Sequence, residues 1–131
     1  MIMQAVDLVR WSLWASFPFN LVAAYALAWP SSVVGRLMGL PEQVDPIYAA
    51  LCGSMIAGFG FVYAWLAVQP KLDQPLLWFG AIGKAGVFVL AFTLWLSQAG
   101  PGATVVVACG DLAFATLWFW WLLSRRGAKA I

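Results

Sequence analysis

Two ionisable side chains lie inside long apolar segments of this sequence, and they are the residues best placed to do chemistry. Lys84 lies near the centre of the apolar stretch 75–98, and Asp111 is the one acid inside any of the long apolar segments. A charged side chain in the middle of a bilayer has a high free-energy cost and is therefore paired with another group inside the protein. We therefore expect Lys84 and Asp111 to meet, either as an ion pair or as two neutral groups after the proton has moved to the carboxylate.

Such a pair has two interpretations. It is structural if it only fixes the register and orientation of two helices, as a buried polar residue does in a coiled coil. It is a site if the pair receives a proton, an ion or a polar headgroup at the bilayer midplane. The rise of a helix places Lys84, Asp111, Asn20 and Ser54 about 14–20 Å from the cytoplasmic ends of their segments. We expect Asn20 and Ser54 to complete the hydrogen bonding of the pair.

Aromatic residues in the last apolar segment form a second candidate site. Phe114, Trp118 and Trp121 are spaced by four and three residues and therefore lie on one side of a helix. One interpretation is an interfacial belt that continues into a lipid-facing surface. The other is an aromatic wall for an isoprenoid, carotenoid or quinone ring.

Composition restricts the class of protein. The chain has 131 residues, of which 64% are hydrophobic and only 9% are charged. A soluble domain of this size has too much surface to hide so many apolar side chains. The sequence therefore indicates an all-α integral membrane protein. A net charge of +2 without a clustered basic patch gives no reason to expect nucleic acid.

The sequence lacks the residue patterns that usually indicate a haem, metal or catalytic site. The sequence has no histidine, which removes the usual axial ligand of haem and ordinary histidine metal sites. It has no cluster of acids for a metal and no nucleophile with a base at a recognisable spacing. We expect no cofactor and no metal, and an enzyme acting on a lipid is only a third possibility.

The elements that position these residues are four apolar segments in a single transmembrane domain, 1–131. We expect spans at about 8–29, 47–69, 75–98 and 103–123, each long enough to cross a bilayer. The short connections 70–75 and 98–102 join antiparallel neighbours. Residues 31–40, with Ser31 or Ser32 as the capping residue, predict a short amphipathic surface helix between spans 1 and 2. The expected fold is an antiparallel four-transmembrane-helix bundle.

Small residues cluster in the second and third spans. Gly53 with Ala57, and Ser54 with Gly58, are four residues apart, a spacing that lets a neighbouring backbone approach closely. This pattern indicates either a packing seam within the chain or a surface for self-association.

Basic residues set the orientation. With four spans, one side of the membrane holds Arg36 alone, and the other side holds Arg10, Lys71, Arg125, Arg126 and Lys129. The positive-inside rule then places both termini in the cytoplasm.

Three short motifs suggest a family resemblance. Gly-Leu-Pro at 39–41, Gly83-Lys84 in the third span and Gly110-Asp111 in the fourth resemble a class of small, uncharacterised four-span bacterial membrane proteins. The resemblance implies the fold, a bacterial inner membrane and the importance of Lys84 and Asp111, and it implies no activity.

The sequence favours a non-enzymatic function. We expect a binding or accessory protein that holds a lipid-like hydrophobic ligand or the spans of a partner membrane protein. The alternative is a small proton-coupled transporter or channel that uses the Lys84–Asp111 pair. Membrane lipids are expected neighbours in either case.

Overall fold

The computed structural model describes residues 2–129, which are 82% helical and contain no strand. The helices are α1 (Ile2–Ala28), α2 (Val33–Leu37), α3 (Pro46–Val68), α4 (Gln74–Leu96) and α5 (Gly102–Lys129). The all-helical class is therefore confirmed. Each 23-residue helix measures about 35 Å at 1.5 Å per residue, which exceeds the hydrocarbon thickness of a bilayer.

Three of the described helices are long and apolar enough to span a membrane. They are Pro46–Val68, Gln74–Leu96 and Gly102–Gly127. The helix α1 is long enough at 27 residues, but it is not among them. Several residues of low hydropathy interrupt it, namely Asp7, Arg10, Trp11, Ser12, Trp14, Ser16, Pro18 and Asn20. The fourth span of the expected bundle is thus not established by length and composition.

Side-chain caps begin the helices where the sequence turns. Ser32 accepts a hydrogen bond from the Gly35 amide at 3.1 Å and starts α2. Asp45 and Asp73 accept from the amides of Ile47 and Leu76 and start α3 and α4. Asp45 precedes Pro46, and Asp73 lies two residues before Pro75. Proline is tolerated in the first turn because the N–H that it lacks would have no hydrogen-bond partner within the helix.

The helix α2 is shorter than expected. It comprises five residues, Val33–Leu37, rather than the predicted 31–40. Gly39 has a φ of +74° and ends this piece in a conformation that favours glycine. The side chains of Val33 and Leu37 are exposed, as the outer surface of a helix in contact with lipid would be.

The long helices pack as two pairs. The helix α1 packs mainly against α3, and α4 packs mainly against α5, whereas α3 and α4 contact each other little. The main core lies at the end that holds the termini and the α3–α4 turn. Its buried residues are Val9, Leu13, Tyr63, Leu66, Ala67, Leu72, Leu77, Ala81, Trp118, Trp121 and Leu122. The two pairs are therefore joined most firmly at this end.

Candidate functional site

Lys84 and Asp111 meet, as a bilayer requires of two embedded charges. The Lys84 Nζ lies 2.6 Å from Asp111 Oδ1, and the two side chains are 3% and 13% exposed. The pair joins α4 to α5, which the short connection after α4 makes antiparallel neighbours. Each charge offsets part of the cost of burying the other, and the pair is net neutral inside the protein.

Asn20 connects this pair to the other two long helices. The Lys84 ammonium donates to Asn20 Oδ1 at 2.9 Å. Asn20 Nδ2 in turn donates to the Ile56 carbonyl at 3.2 Å. The amide thus accepts a hydrogen bond from α4 and donates one to α3, so one side chain of α1 links three helices. The predicted role of Asn20 as a hydrogen-bonding partner of the pair agrees with this arrangement.

Ser54 does not join the group. Its side chain is exposed, and its hydroxyl donates to the Leu51 carbonyl of its own helix at 2.9 Å. The residues of α3 that approach Asn20 are Ile56 and Gly60. A residue two positions from Ile56 points to the opposite side of a helix, so Ser54 has the expected depth and the wrong rotational position.

Three aromatic rings surround the ammonium. The Lys84 Nζ lies 5.2 Å from the ring centroids of Phe19 and Tyr63, and 5.1 Å from that of Phe114. A desolvated cation near an aromatic face gains about 2 kcal/mol in favourable cases. The sequence analysis identified Phe114 and missed Phe19 and Tyr63. A signal existed for Phe19, because it directly precedes Asn20.

Trp118 and Trp121 are buried rather than lipid-facing. Trp118 is fully buried, packs 5.0 Å from the Tyr63 ring and donates from Nε1 to Ser12 Oγ at 2.8 Å. The expectation of an interfacial belt is therefore wrong for these two residues. Trp118 packs against the rings of Tyr63 and Phe114, and of the proposed aromatic wall only Phe114 approaches the ammonium.

A partly enclosed cavity of about 200 Å³ adjoins the pair. Lys84, Asp111 and Asn20 supply most of its polar groups, and apolar side chains form the rest of its wall. That wall consists mainly of Phe19, Ala23, Leu27, Met38, Leu40, Ile56, Phe59, Tyr63, Val87, Val107 and Ala108. Residues of α1, α3, α4 and α5 thus enclose one apolar space with a polar group at its side.

The segment after α2 covers part of this cavity. Met38 and Leu40 line it, and the Met38 carbonyl accepts a hydrogen bond from Thr104 Oγ1 of α5 at 2.8 Å. Gly39 lies against Pro101, so a side chain there would have no room. These contacts hold the segment over the end of the cavity far from the termini.

The exposed lining residues indicate where the cavity opens. They are Gly83 and Val87, both on α4. Because α3 and α4 contact each other little, the opening lies beside α4 on the α3 side. Within residues 2–129, no three His, Cys, Asp or Glu side chains come together. The arrangement is an apolar space with a net neutral polar pair in its wall.

Comparisons with known proteins gave no relative. No protein-family model matched the chain, and no match was found among curated proteins or solved structures. Fold and site define a class only: an all-helical protein with three helices able to cross a membrane and a lysine–aspartate pair beside an apolar cavity. Function is therefore inferred from this geometry.

Proposed function

We propose that this protein is a non-enzymatic membrane protein that holds a lipid-like hydrophobic ligand in the cavity beside Lys84 and Asp111. The observation that carries the proposal is the combination of an apolar wall with one buried polar group. Ligand sites have this composition, since the wall supplies affinity and the few polar groups fix orientation. A pair with a purely structural role would have no need of a cavity next to it.

The position of the opening favours a ligand that comes from the bilayer. Gly83 and Val87 lie about 14 and 20 Å along α4 from its first residue, at 1.5 Å per residue. Both depths fall within a hydrocarbon core of about 30 Å. An opening at this level meets acyl chains rather than water, so an apolar molecule enters without crossing an aqueous phase.

The volume restricts how much of the ligand is enclosed. An engineered cavity of about 150 Å³ in another protein holds one benzene molecule. The cavity of about 200 Å³ is slightly larger. It therefore accepts one ring or a short branched chain, and the remainder of a longer molecule lies outside, along α4.

We further propose that the chain crosses the bacterial inner membrane four times, with both termini in the cytoplasm. The contacts of α1 support its assignment as a span. Near one end of the helix pair, Arg10 donates to the carbonyls of Ala67 and Pro70. Near the other end, Gly53 of α3 lies against Ala24 and Ala28. Because α1 accompanies α3 from end to end, it crosses wherever α3 crosses.

Two glycines of α4 provide a matched test. A Cβ at Gly83 or at Gly86 meets no atom within 4 Å, so both positions accept a larger side chain. Only Gly83 lines the cavity. We expect Gly83→Leu to fill the cavity and remove at least about nine-tenths of the bound ligand, because the leucine side chain occupies the ligand's space. Gly86→Leu should retain the ligand.

The measurement is mass spectrometry of apolar molecules that copurify with wild type and with each variant from bacterial membranes. Equal amounts of the same molecules in all three preparations, or none in wild type, would overturn the proposal. Copurification of another membrane protein with all three, and of no small molecule, would instead support the holding of a partner's spans.

A proton-coupled transporter or channel is the second candidate. One observation favours it: the Lys84 Nζ, which carries transferable protons, lies 2.6 Å from the Asp111 Oδ1 beside a cavity. The packed core at the termini end, with Tyr63 and Trp118 buried, opposes a continuous path. Proton flux into liposomes that disappears with Asp111→Asn would favour this candidate over the first.

A further inference from the structure

The hydrogen bonds of the pair specify the polar group of the ligand. An ammonium has three N–H donors. Asn20 Oδ1 and Asp111 Oδ1 use two of those on Lys84, at 2.9 and 2.6 Å. The described residues 2–129 show no third hydrogen bond from Lys84, whose Nζ otherwise lies 5.1–5.2 Å from the centroids of three aromatic rings. One donor is therefore available to a ligand at the cavity wall.

The carboxylate has the complementary capacity. Two oxygens give an ionised carboxylate room for about four hydrogen bonds. Within the described part of the chain, the single bond that reaches Asp111 comes from Lys84 and ends on Oδ1. The side chain keeps 13% of its surface exposed and lines the cavity. An acceptor thus lies beside the available donor.

Charge decides which ligand group fits. Lys84 and Asp111 already neutralise each other, and no other charged side chain lines the cavity. An ionised carboxylate or phosphate, or a second ammonium, would enter this space without a counter-charge, which is strongly unfavourable in an apolar site. A neutral group that donates one hydrogen bond and accepts another would satisfy both open positions.

We infer that the ligand is a neutral, hydroxyl-bearing hydrophobic molecule, whose oxygen accepts from Lys84 while its O–H donates to Asp111. This inference rests on the proposed binding function and names its ligand class. Alcohols of isoprenoid or fatty chains and ring alcohols or phenols have this chemistry. Phospholipid headgroups and free fatty acids do not.

The test compares probes of one chain length and different heads. Octan-1-ol, octanoate and octylamine are added to the protein in lipid nanodiscs at pH 7, and thermal stabilisation is measured over a concentration series. The same series with Gly83→Leu is subtracted, which removes effects of partition into the lipid. We expect octan-1-ol to bind at least about tenfold more tightly than either ionised probe, because only it enters without an unpaired charge.

Two variants check that the pair causes this preference. Asp111→Asn leaves Lys84 as the single charge, so octanoate should become the preferred probe. The double variant Lys84→Met with Asp111→Leu is included in case the single variant misfolds. Because it lacks both groups of the pair, it should bind octan-1-ol no better than octane. Tighter binding of octanoate or octylamine to wild type would overturn the inference and leave the binding function standing. Binding of none of the probes would overturn both.

Discussion

At the scale of single residues, the site is held together by Lys84. Its ammonium contacts side chains from α1, α3 and α5 as well as belonging to α4. Each of these contacts depends on the charge, since the amide and the carboxylate accept hydrogen bonds and the rings present their negative faces. Lys84 therefore connects α4 to each of the other three long helices.

The Lys84–Asp111 pair allows a prediction about the stability of its variants. Lys84→Met or Asp111→Leu alone leaves one buried charge without a counter-charge, at a cost of about 3 kcal/mol in a membrane helix. We expect each single variant to unfold at a lower temperature in detergent and the double variant to recover most of the loss. The control is Lys71→Met, which removes an exposed lysine. A double variant no more stable than either single one would contradict the prediction.

The depth of a residue is readable from the sequence, and its rotational position is not. Lys84, Asp111 and Asn20 were found because each is polar in an apolar segment, and all three meet. Ser54 is polar at a similar depth but faces outward. Glycine and alanine on several sides of α3 give no strong hydrophobic stripe, so nothing in the sequence tells which side faces α1. In α5 too, the sequence does not tell which side faces the core, so the burial of Trp118 was not predicted.

At the scale of elements, the glycines of α3 lie on two different sides of the helix, one packed against α1 and one facing outward. Gly53 lies against the Ala24 carbonyl and the Ala28 side chain, at 2.9 Å from the position a Cβ would occupy. Gly60 lies close to Asn20 in the same way. Gly58 faces open space. A seam within the chain therefore runs along Gly53 and Gly60, whereas Ser54 and Gly58, one of the two expected pairs, are exposed.

This division predicts opposite effects for the same substitution. Gly53→Ala forces α1 and α3 apart and should destabilise the fold by about 1–3 kcal/mol, as overpacking does. Gly58→Ala adds a methyl group in open space and should be neutral or stabilising by up to about 1 kcal/mol, because alanine is the better helix former. Thermal unfolding of both variants in the same detergent measures the difference. Equal destabilisation at the two positions would contradict the assignment of the seam.

The helices themselves were largely predictable because their boundaries carry local signals. Prolines and capping residues mark the starts of α3 and α4 within two residues of the expected spans. The surface helix was predicted too long, although Gly39 is a local signal for its end. With Gly39 at a φ of +74°, the Gly39 and Leu40 amides donate back to the carbonyls of Arg36 and Gly35, as in a Schellman cap.

At the scale of the whole molecule, the cavity follows from an uneven core. Large side chains from all four long helices fill the space near the termini. Beyond Lys84, the buried residues are mostly small, such as Ala24, Ala26, Ala91 and Ala108. Two helix pairs that are packed tightly at one end and lined by small residues at the other leave a space between them. No local pattern predicts this volume, because it depends on where the four helices stand relative to one another.

The remaining question at this scale is whether α1 crosses the membrane. Four crossings place residue 4 on the same side as residue 71 and opposite residue 42, whereas three crossings without α1 place residue 4 with residue 42. Single cysteines at Gln4, Glu42 and Lys71, in a chain that carries Cys52→Ser and Cys109→Ser, distinguish the two. All three positions are exposed and so accept a label.

We expect a membrane-impermeant maleimide added to intact spheroplasts to label Glu42→Cys and to leave Gln4→Cys and Lys71→Cys unlabelled until the cells are opened. The physical reason is that Arg10 joins α1 to the end of α3, and the positive-inside rule predicts a cytoplasmic position for the basic residues at that end. Labelling of Gln4→Cys together with Glu42→Cys would show that α1 returns to the outer side. A cavity closed by four crossing helices would then be ruled out, and with it the route by which a ligand enters from the lipid.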